Sequence, residues 1–529
     1  MGFMKKILRY FTAAALCFAL AATAAACKEK KSSEAEKGKE PEKNDNGYVS
    51  RVRYEAEHPY VEHNGEPYLM LPLQMRIDWI YEDTGGDIAF IEENFADAAE
   101  LGFQSVCIPI YWATIEPSQG KFNFSQMSIY YKYLEKYDLK VEWLWFGTNV
   151  CGSGGCAPQW VKNAPDTYKR VVPEGYKGDD VWFDFSCKET LEAEKTAVGE
   201  MMKWLAQNDK QKRCVMIQVN NEVDQGANNF QPDQTDAAQN FAGQWWQTKE
   251  GHDKYCWVNG QREEFFAYES ALGDVIHSSP YNCVTRINVS GAGRNTIPEL
   301  KLDYEDILDT SGIDIVGVDC YTTKWDSLDQ YITKVSGNVT HLAEASATYE
   351  FGYNMAKMLE MGAGMMIYCH RDDRDHFGFY VNNGRDSKEW TERPSTGEDR
   401  KFMNMIKKVS SKLAYAVPNG EVLEFNGEHL EGGMDVTSSL NGFSIRFTQG
   451  NDGLGIAFPV GDKEWILLAN RDSSVFEFDS SAKVAGAAFG GYENGKWKVQ
   501  NTSAVDGNKV TVNAYPLSPC RTPWTRKQS

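Results

Sequence analysis

From about residue 60 onward this chain repeats one pattern: a short apolar run, an amphipathic stretch, then another apolar run. A run of four to eight apolar residues between turn residues suits a strand buried on both faces. The amphipathic stretches between such runs suit the helices that cover it. Eight runs of this kind fall at 68–75, 105–111, 140–146, 214–219, 283–289, 313–320, 339–344 and 364–370. The clearest helical stretches between them are 87–101 and 188–207. Strands that each return through a helix lie parallel. Eight of them predict a closed (β/α)8 barrel (a TIM barrel) of the α/β class rather than an open doubly wound sheet.

A barrel takes roughly 250 residues or more, so a chain of 529 leaves room for a second unit. After the eighth run come a polar segment, 371–400, and a helix near 401–416. From about Pro418 the texture changes to alternating strands with Gly, Asn and Asp turns, as in Gly442-Phe443-Ser444-Ile445-Arg446-Phe447. The expected division is a barrel over 48–417 and a smaller all-β, sandwich-like domain over 418–529. The second unit is expected to brace the barrel, with carbohydrate binding as the alternative.

The N-terminus reads as an export signal. Lys5, Lys6 and Arg9 precede the apolar stretch 11–26, and small residues lead into Cys27 through Ala24-Ala25-Ala26. Charge, length and small-residue exit fit a secretory signal, and the cysteine resembles a bacterial lipobox, with Ala24 where Leu is usual. Two outcomes follow: a lipid on Cys27, or plain cleavage at an Ala-x-Ala site. The segment 28–47 is almost wholly polar and suits a disordered tether, because it has too little apolar surface to order itself. The expected location is a bacterial cell envelope, at the cell surface or in the periplasm, held by an N-terminal lipid anchor.

Composition narrows the function. A formal net charge of -20 argues against nucleic-acid partners. Aromatic residues make up 13% of the chain, which slightly favours sugar ligands, whose C–H faces pack on flat rings. Of the 12 cysteines, Cys17 would leave with the signal and Cys27 would carry lipid; among the other ten, Cys107, Cys214, Cys283, Cys320 and Cys369 sit in apolar runs and read as small buried hydrophobes, and Cys151 and Cys156 are the one local pair that could bridge. No zinc spacing and no phosphate-binding glycine loop appears, so neither metal nor nucleotide cofactor is expected. The acidic run Asp372-Asp373-Arg374-Asp375 reads as mutual ion pairing rather than a calcium site.

Barrel chemistry sits at the C-terminal ends of strands, so carboxylates there carry the most weight. The fourth run ends Gln218-Val219-Asn220-Asn221-Glu222, and the seventh ends Leu342-Ala343-Glu344. Two carboxyl groups facing one another can break a glycosidic bond, one giving a proton to the leaving oxygen and the other attacking or activating water. Other strand-end residues are candidate sugar contacts: Arg76, Tyr111, Asn149, Asn221, Tyr321, Trp325, Tyr368 and His370. The long loop after the fourth strand adds Trp245, Trp246 and Trp257 as possible platforms.

The region from about 60 to 230 resembles the family 35 glycoside hydrolases, the β-galactosidases, within the Glu/Glu barrel clan that also holds family 42. The resemblance rests on four stretches. They are Asn64-Gly65-Glu66-Pro67-Tyr68; Trp112 with Glu116-Pro117, Gly120, Phe122 and Phe124; Gly154-Gly155-Cys156-Ala157-Pro158-Gln159-Trp160; and Gln218-Val219-Asn220-Asn221-Glu222. The sequence departs from the family at Asn220, where a Glu is usual, and at Val223-Asp224 in place of Tyr-Gly. The resemblance implies Glu222 as acid/base, Asn221 as a substrate ligand and Glu344 as the nucleophile of a retaining, exo-acting β-glycosidase acting on oligo- or polysaccharides. The competing reading is a non-catalytic, glycan-binding surface lipoprotein on a barrel scaffold.

Overall fold

Each of the eight apolar runs supplies one strand of a closed parallel barrel in the computed structural model. It describes residues 47–77, 88–148, 150, 154–170, 183–222, 262–289, 307–320, 337–347, 351–372, 378–382, 390–426, 433–450, 453–461, 463–503, 505–512 and 518–526. The signal stretch, Cys27 and the tether up to residue 46 lie outside these residues, as do Asn149, Cys151, Tyr321, Trp325 and the tryptophans of the fourth loop.

The barrel strands are β1 Leu73–Gln74, β2 Ser105–Tyr111, β3 Lys140–Phe146, β4 Cys214–Val219, β5 Val284–Val289, β6 Ile315–Asp319, β7 His341–Ala345 and β8 Gly364–Ile367. They are ordered as in the chain, and β8 closes on β1 through Ile367 and Leu73. Strand β1 is much shorter than its apolar run. Pro72 has no N–H to give to a ladder, and Tyr68 instead donates its N–H to Val61, outside the barrel.

Both faces of these strands are covered, which is why they read as continuous apolar runs. In β3, Trp143 faces outward onto Tyr130 and Tyr131 of helix α2 (Ser125–Lys136). Leu144 and Phe146 turn into the barrel beside Cys107 and Met366. The other described helices of ten or more residues are α1 Ile88–Glu100, α3 Lys188–Asn208, α4 Arg262–His277, α5 Phe351–Glu360 and α6 Thr396–Ala416. Helix α6 begins five residues before the expected 401, because its polar first turn lacks an apolar stripe. Glu398 in that turn suits the positive end of the helix dipole.

The barrel floor is plugged by a three-stranded sheet not foreseen from the sequence, Ser50–Arg53, Tyr60–His63 and Glu66–Pro67. Ser50 ties it down: its hydroxyl donates to the Val215 carbonyl and accepts the Val284 N–H at 2.9 Å. Val61, Tyr68 and Met70 then pack under Val215, Met216, Val284, Ile315 and Val339.

Beyond α6 the chain forms two antiparallel sheets. One runs Leu423–Asn426, Leu454–Pro459, Glu464–Ala469, Cys520–Arg526, Ala487–Glu493 and Lys496–Ser503, with Ala482–Val484 paired beside it. The other runs Met434–Leu440, Phe443–Gln449, Ser474–Phe478, Lys509–Val512 and Val505–Asp506. Alternation divides the first sheet between two cores. Trp465, Leu467 and Ala469 join Phe447 and Phe476 between the sheets. Leu454, Ile456, Phe458, Ile466 and Leu468 point the other way, into the apolar cluster that holds Phe402, Met405 and Val409 of α6. The first sheet is thus buried on its barrel side as well as in its own core.

Candidate active site

Glu222, Asp319 and Glu344 meet at the C-terminal end of the barrel, all buried, with one carboxylate oxygen of each within 4.8 Å of the others. Three elements bring them together: the turn after β4, the last residue of β6, and β7. Among the described residues this is the group of acids that could hold a metal ion. Its all-oxygen character would suit a hard cation, and it equally suits proton transfer between carboxyls.

The turn that carries Glu222 is unusual. Asn220 and Glu222 both have left-handed backbones, φ 57° and 43°, conformations that cost L-residues energy and persist only where neighbours hold them. The neighbours are explicit. Asn220 turns away from the pocket: its Oδ1 accepts the Gly147 N–H at 3.1 Å and its Nδ2 donates to Glu269 of α4 at 2.7 Å. On the inner side, Asn288 of β5 accepts the Glu222 N–H at 3.0 Å. The same Asn288 donates to Asn221 at 3.1 Å and to Asp319 at 2.8 Å.

Behind Asn220 lies a second, wholly buried pair of carboxyls. Burial pushes Glu269 well above the usual carboxylate range, and the charge of Glu194 adds to the effect. Burial also raises Glu194 of α3, against hydrogen bonds from the Tyr268 hydroxyl (2.6 Å), the Trp145 indole (2.8 Å) and the Thr148 hydroxyl (2.8 Å). Gly147 leaves room for this carboxyl: a Cβ at that position would overlap it and crowd the Trp145 indole nitrogen.

The opposite wall comes from β1, β2 and β3. Arg76 lies with its guanidinium carbon 5.6 Å from the Phe146 ring centre, and Tyr111 stacks on the same ring at 5.5 Å. Tyr368 follows β8, half-buried, its N–H held by the Ala345 carbonyl at 2.8 Å.

Below the carboxylates the barrel interior is polar. Arg286 of β5 pairs with Glu142 of β3 at 3.0 Å, both fully buried, and Tyr68 donates to the same carboxyl at 3.1 Å. Burial and the neighbouring Arg286 drive the His341 imidazole well below its ordinary value, so it sits neutral at 3.3 Å from the guanidinium.

The expected site residues thus divide. Glu222, Asn221 and Glu344 converge, and Arg76, Tyr111 and Tyr368 end their strands at the mouth. His370 is a correction: its ring is fully buried and turned toward Asp97 of helix α1, 3.9 Å away, in the outer layer. Cys369 has a left-handed backbone, φ 61°, which breaks the strand alternation that would have pointed His370 inward. Burial first, and Arg371 second, hold this imidazole well below its ordinary value. Asn149, Tyr321 and Trp325 lie outside the described residues.

Asp319, Asn288, Gln218 and Phe146 were missed. Arg286 and Asn288 stand at alternate places in Val284-Thr285-Arg286-Ile287-Asn288-Val289. In a barrel strand that pattern marks the inward face and could have disclosed both. The Trp112–Glu116–Gly120 motif proves structural: Glu116 is buried and accepts the Trp112 indole N–H at 3.0 Å and the Gly120 N–H at 2.7 Å.

A (β/α)8 barrel with one glutamate after β4 and another on β7 defines a Glu/Glu barrel of the glycoside hydrolase type. Residues 81–351, a little over half of the chain, match the model of glycoside hydrolase family 42, described as β-galactosidase, and the chain belongs to that family. The matched family is therefore 42 of the two β-galactosidase families the motifs resemble.

Solved structures similar to this chain include a β-galactosidase from the psychrophilic Marinomonas ef1, with 13% identity and a TM-score of 0.44 over 66% of this chain and 62% of that one. Another is a cold-adapted β-galactosidase from Rahnella sp. R3, with 15% identity and a TM-score of 0.43 over 66% and 57%. A third is a β-glucosidase, 1317, with 14% identity and a TM-score of 0.42 over 60% and 88%. The match thus spans less than two thirds of either β-galactosidase. No curated protein matches the chain.

Proposed function

We propose that this chain is a retaining β-glycosidase, β-galactosidase-like and exo-acting, that works by double displacement. Glu344 attacks the anomeric carbon while Glu222 passes its proton to the departing glycosidic oxygen. A glycosyl ester on Glu344 results, and the freed carboxylate of Glu222 then takes a proton from water. That water attacks the same carbon, breaks the ester and restores both groups.

One observation carries the reading: carboxylate oxygens of Glu222 and Glu344 lie within 4.8 Å of each other. Retaining pairs stand about 5–5.5 Å apart between carboxyl groups and inverting pairs about 6.5–9.5 Å, and nearest oxygens this close favour the shorter spacing. Asn221 is placed to meet a sugar hydroxyl beside the acid, and Arg76 and Tyr111 offer contacts from the facing wall. Tyr321, Trp325 and Asn149 keep their expected roles as sugar contacts. Export and a lipid on Cys27 would hold this activity at the cell envelope, where oligo- and polysaccharides are met.

The test is a panel of aryl β-glycosides (galactoside, glucoside, fucoside, xyloside, arabinoside and mannoside), with Glu344→Gln as control. Turnover that is lost in the variant supports the reading, and the preferred sugar names the specificity. Glycan binding with no turnover on any substrate, extended glycans included, would replace it with the binding reading.

A further inference from the structure

Four buried polar side chains lead from the centre of the barrel to the acid/base turn, and their donors and acceptors can be ordered in only one direction. The starting point is Arg286, whose guanidinium has donors and no acceptor. Its Nη1 donates to Glu142 at 3.0 Å and its Nε to Gln218 at 2.9 Å. The atom of Gln218 that faces Arg286 must therefore be the oxygen, and its Nε2 points up the barrel.

That amide nitrogen stands 2.8 Å from Asn288, 3.0 Å from Asn221 and 3.1 Å from the Asn220 carbonyl, and the side-chain atoms facing it are oxygens, because a second NH2 there would meet it donor to donor. The Asn288 oxygen also accepts the Glu222 N–H, so its nitrogen faces Asn221 and Asp319. The Asn221 oxygen consequently receives two donors from below. Its nitrogen is left on the pocket side, 3.5 Å from the Glu222 carboxylate. A flipped Asn221 would set its NH2 against two other NH2 groups in a site closed to water, which buried polar groups do not tolerate.

We propose that the buried Glu142–Arg286 ion pair aims the substrate-facing amide of Asn221 and seats Glu222, acting through an amide relay made of Gln218 and Asn288. These four are positioning residues: they touch neither the sugar nor the scissile bond, and each acts through Asn221 or the Glu222 backbone. An amide, unlike a hydroxyl, has a fixed donor end and a fixed acceptor end, so polarity set at Arg286 reaches the pocket without loss of direction. Low local dielectric strengthens each bond of such a chain.

The inference rests on the glycosidase reading, and its test separates the two. Gln218→Met and Asn288→Ala would each be combined with Asn221→Ala in a double-mutant cycle. kcat/KM would be measured on an aryl β-glycoside with a very good leaving group and on an unactivated glycoside. Each single relay variant is expected to lose about 100-fold on the unactivated substrate, the scale of losing one aimed donor at a reacting centre. The share that passes through Glu222 should fall away on the activated substrate, whose departure needs no proton, while the share that passes through the Asn221 contact to a sugar hydroxyl should remain on both.

In the Asn221→Ala background Gln218→Met should cost less than about threefold, because the group it aims is already gone, whereas Asn288→Ala keeps the further loss of the Glu222 N–H that Asn288 accepts. Additive losses for Gln218→Met and Asn221→Ala would mean that Gln218 only supports the barrel, and would overturn the proposal. If Gln218→Met does not fold, Gln218→Glu carries the cycle, since it keeps an acceptor for Arg286 and removes the donor that faces Asn221. A wild-type protein that turns over no glycoside overturns the glycosidase reading and this inference with it. Normal wild-type turnover with an additive cycle overturns this inference alone.

Discussion

The contact between β6 and β7 allows one methyl group to be used as a wedge beneath the nucleophile. A Cβ added at Gly317 would lie 2.5 Å from the Cβ of Ala343, with Arg286 and His341 atoms each 3.4 Å away. Ordinary van der Waals contact begins at about 3.4 Å, so Gly317→Ala falls short by roughly 1 Å between two atoms fixed to backbone. Neither can rotate aside, and the strands must part. Overpacking of this kind costs about 1–3 kcal/mol.

The residue after Ala343 is Glu344, so the displacement reaches the reacting carboxylate, where a misplacement of about 1 Å can cost on the order of 100-fold in rate. Melting temperature and kcat/KM on a good aryl glycoside would be measured for Gly317→Ala, Ala343→Gly and the double variant. The double variant moves the methyl from one strand to the other and should recover most of both losses, short of the roughly 0.5–1 kcal/mol that glycine costs within a strand. A neutral Gly317→Ala, or a double variant as impaired as the single, would refute the packing argument.

Other consequences can be checked as directly. Glu142→Leu strands the fully buried Arg286 without its counter-ion and should destabilise the protein by about 3–5 kcal/mol in denaturant unfolding. Glu222→Ala should spare substrates with very good leaving groups, and azide should speed their turnover by replacing the water that Glu222 would activate.

Burial raises the Asp399 carboxyl to about 7. Its contribution to stability is therefore complete below the unfolded value near pH 4 and is lost as pH rises through 7. Asp399→Asn should match wild type in melting temperature at pH 4 and exceed it at pH 8. Phe458→Ala opens the fully buried contact between the C-terminal sheet and the helix layer. It should cost about 3–5 kcal/mol and weaken the barrel together with the sheet.

Fold and site were not equally legible in the sequence. All eight barrel strands were readable, because a parallel strand buried on both faces leaves a run with few polar interruptions. Glu222 and Glu344 stood out because each ends such a run. The floor sheet was not visible: Ser50–Arg53 and Tyr60–His63 are short, charged strands whose place depends on Ser50 reaching Val215 and Val284 far along the chain.

His370 was misdirected for a local reason, since strand alternation fails at a single left-handed residue, Cys369, and no rule of spacing discloses that. Asp319 was hidden by its setting in Val318-Asp319-Cys320, where an acid at a strand end reads like any turn residue until β5 and β7 bring Asn288 and Glu344 beside it. Asn220 illustrates the converse. The sequence marks it as a departure from the family pattern, and the structure gives it a partner, Glu269, on helix α4.

Glu344 is the proposed nucleophile, and trapping it in the act tests this role most directly. A 2-deoxy-2-fluoro-β-glycosyl fluoride of the preferred sugar slows both steps by withdrawing electrons from the transition state, while its fluoride leaving group keeps the first step moving. Intact mass and peptide mapping would then be read after incubation. The expected result is one sugar per chain, on the peptide that carries Glu344, with activity lost in step and no adduct on Glu344→Gln. Active wild type that never forms an adduct, or an adduct on Asp319 or Glu222 instead, would contradict the account.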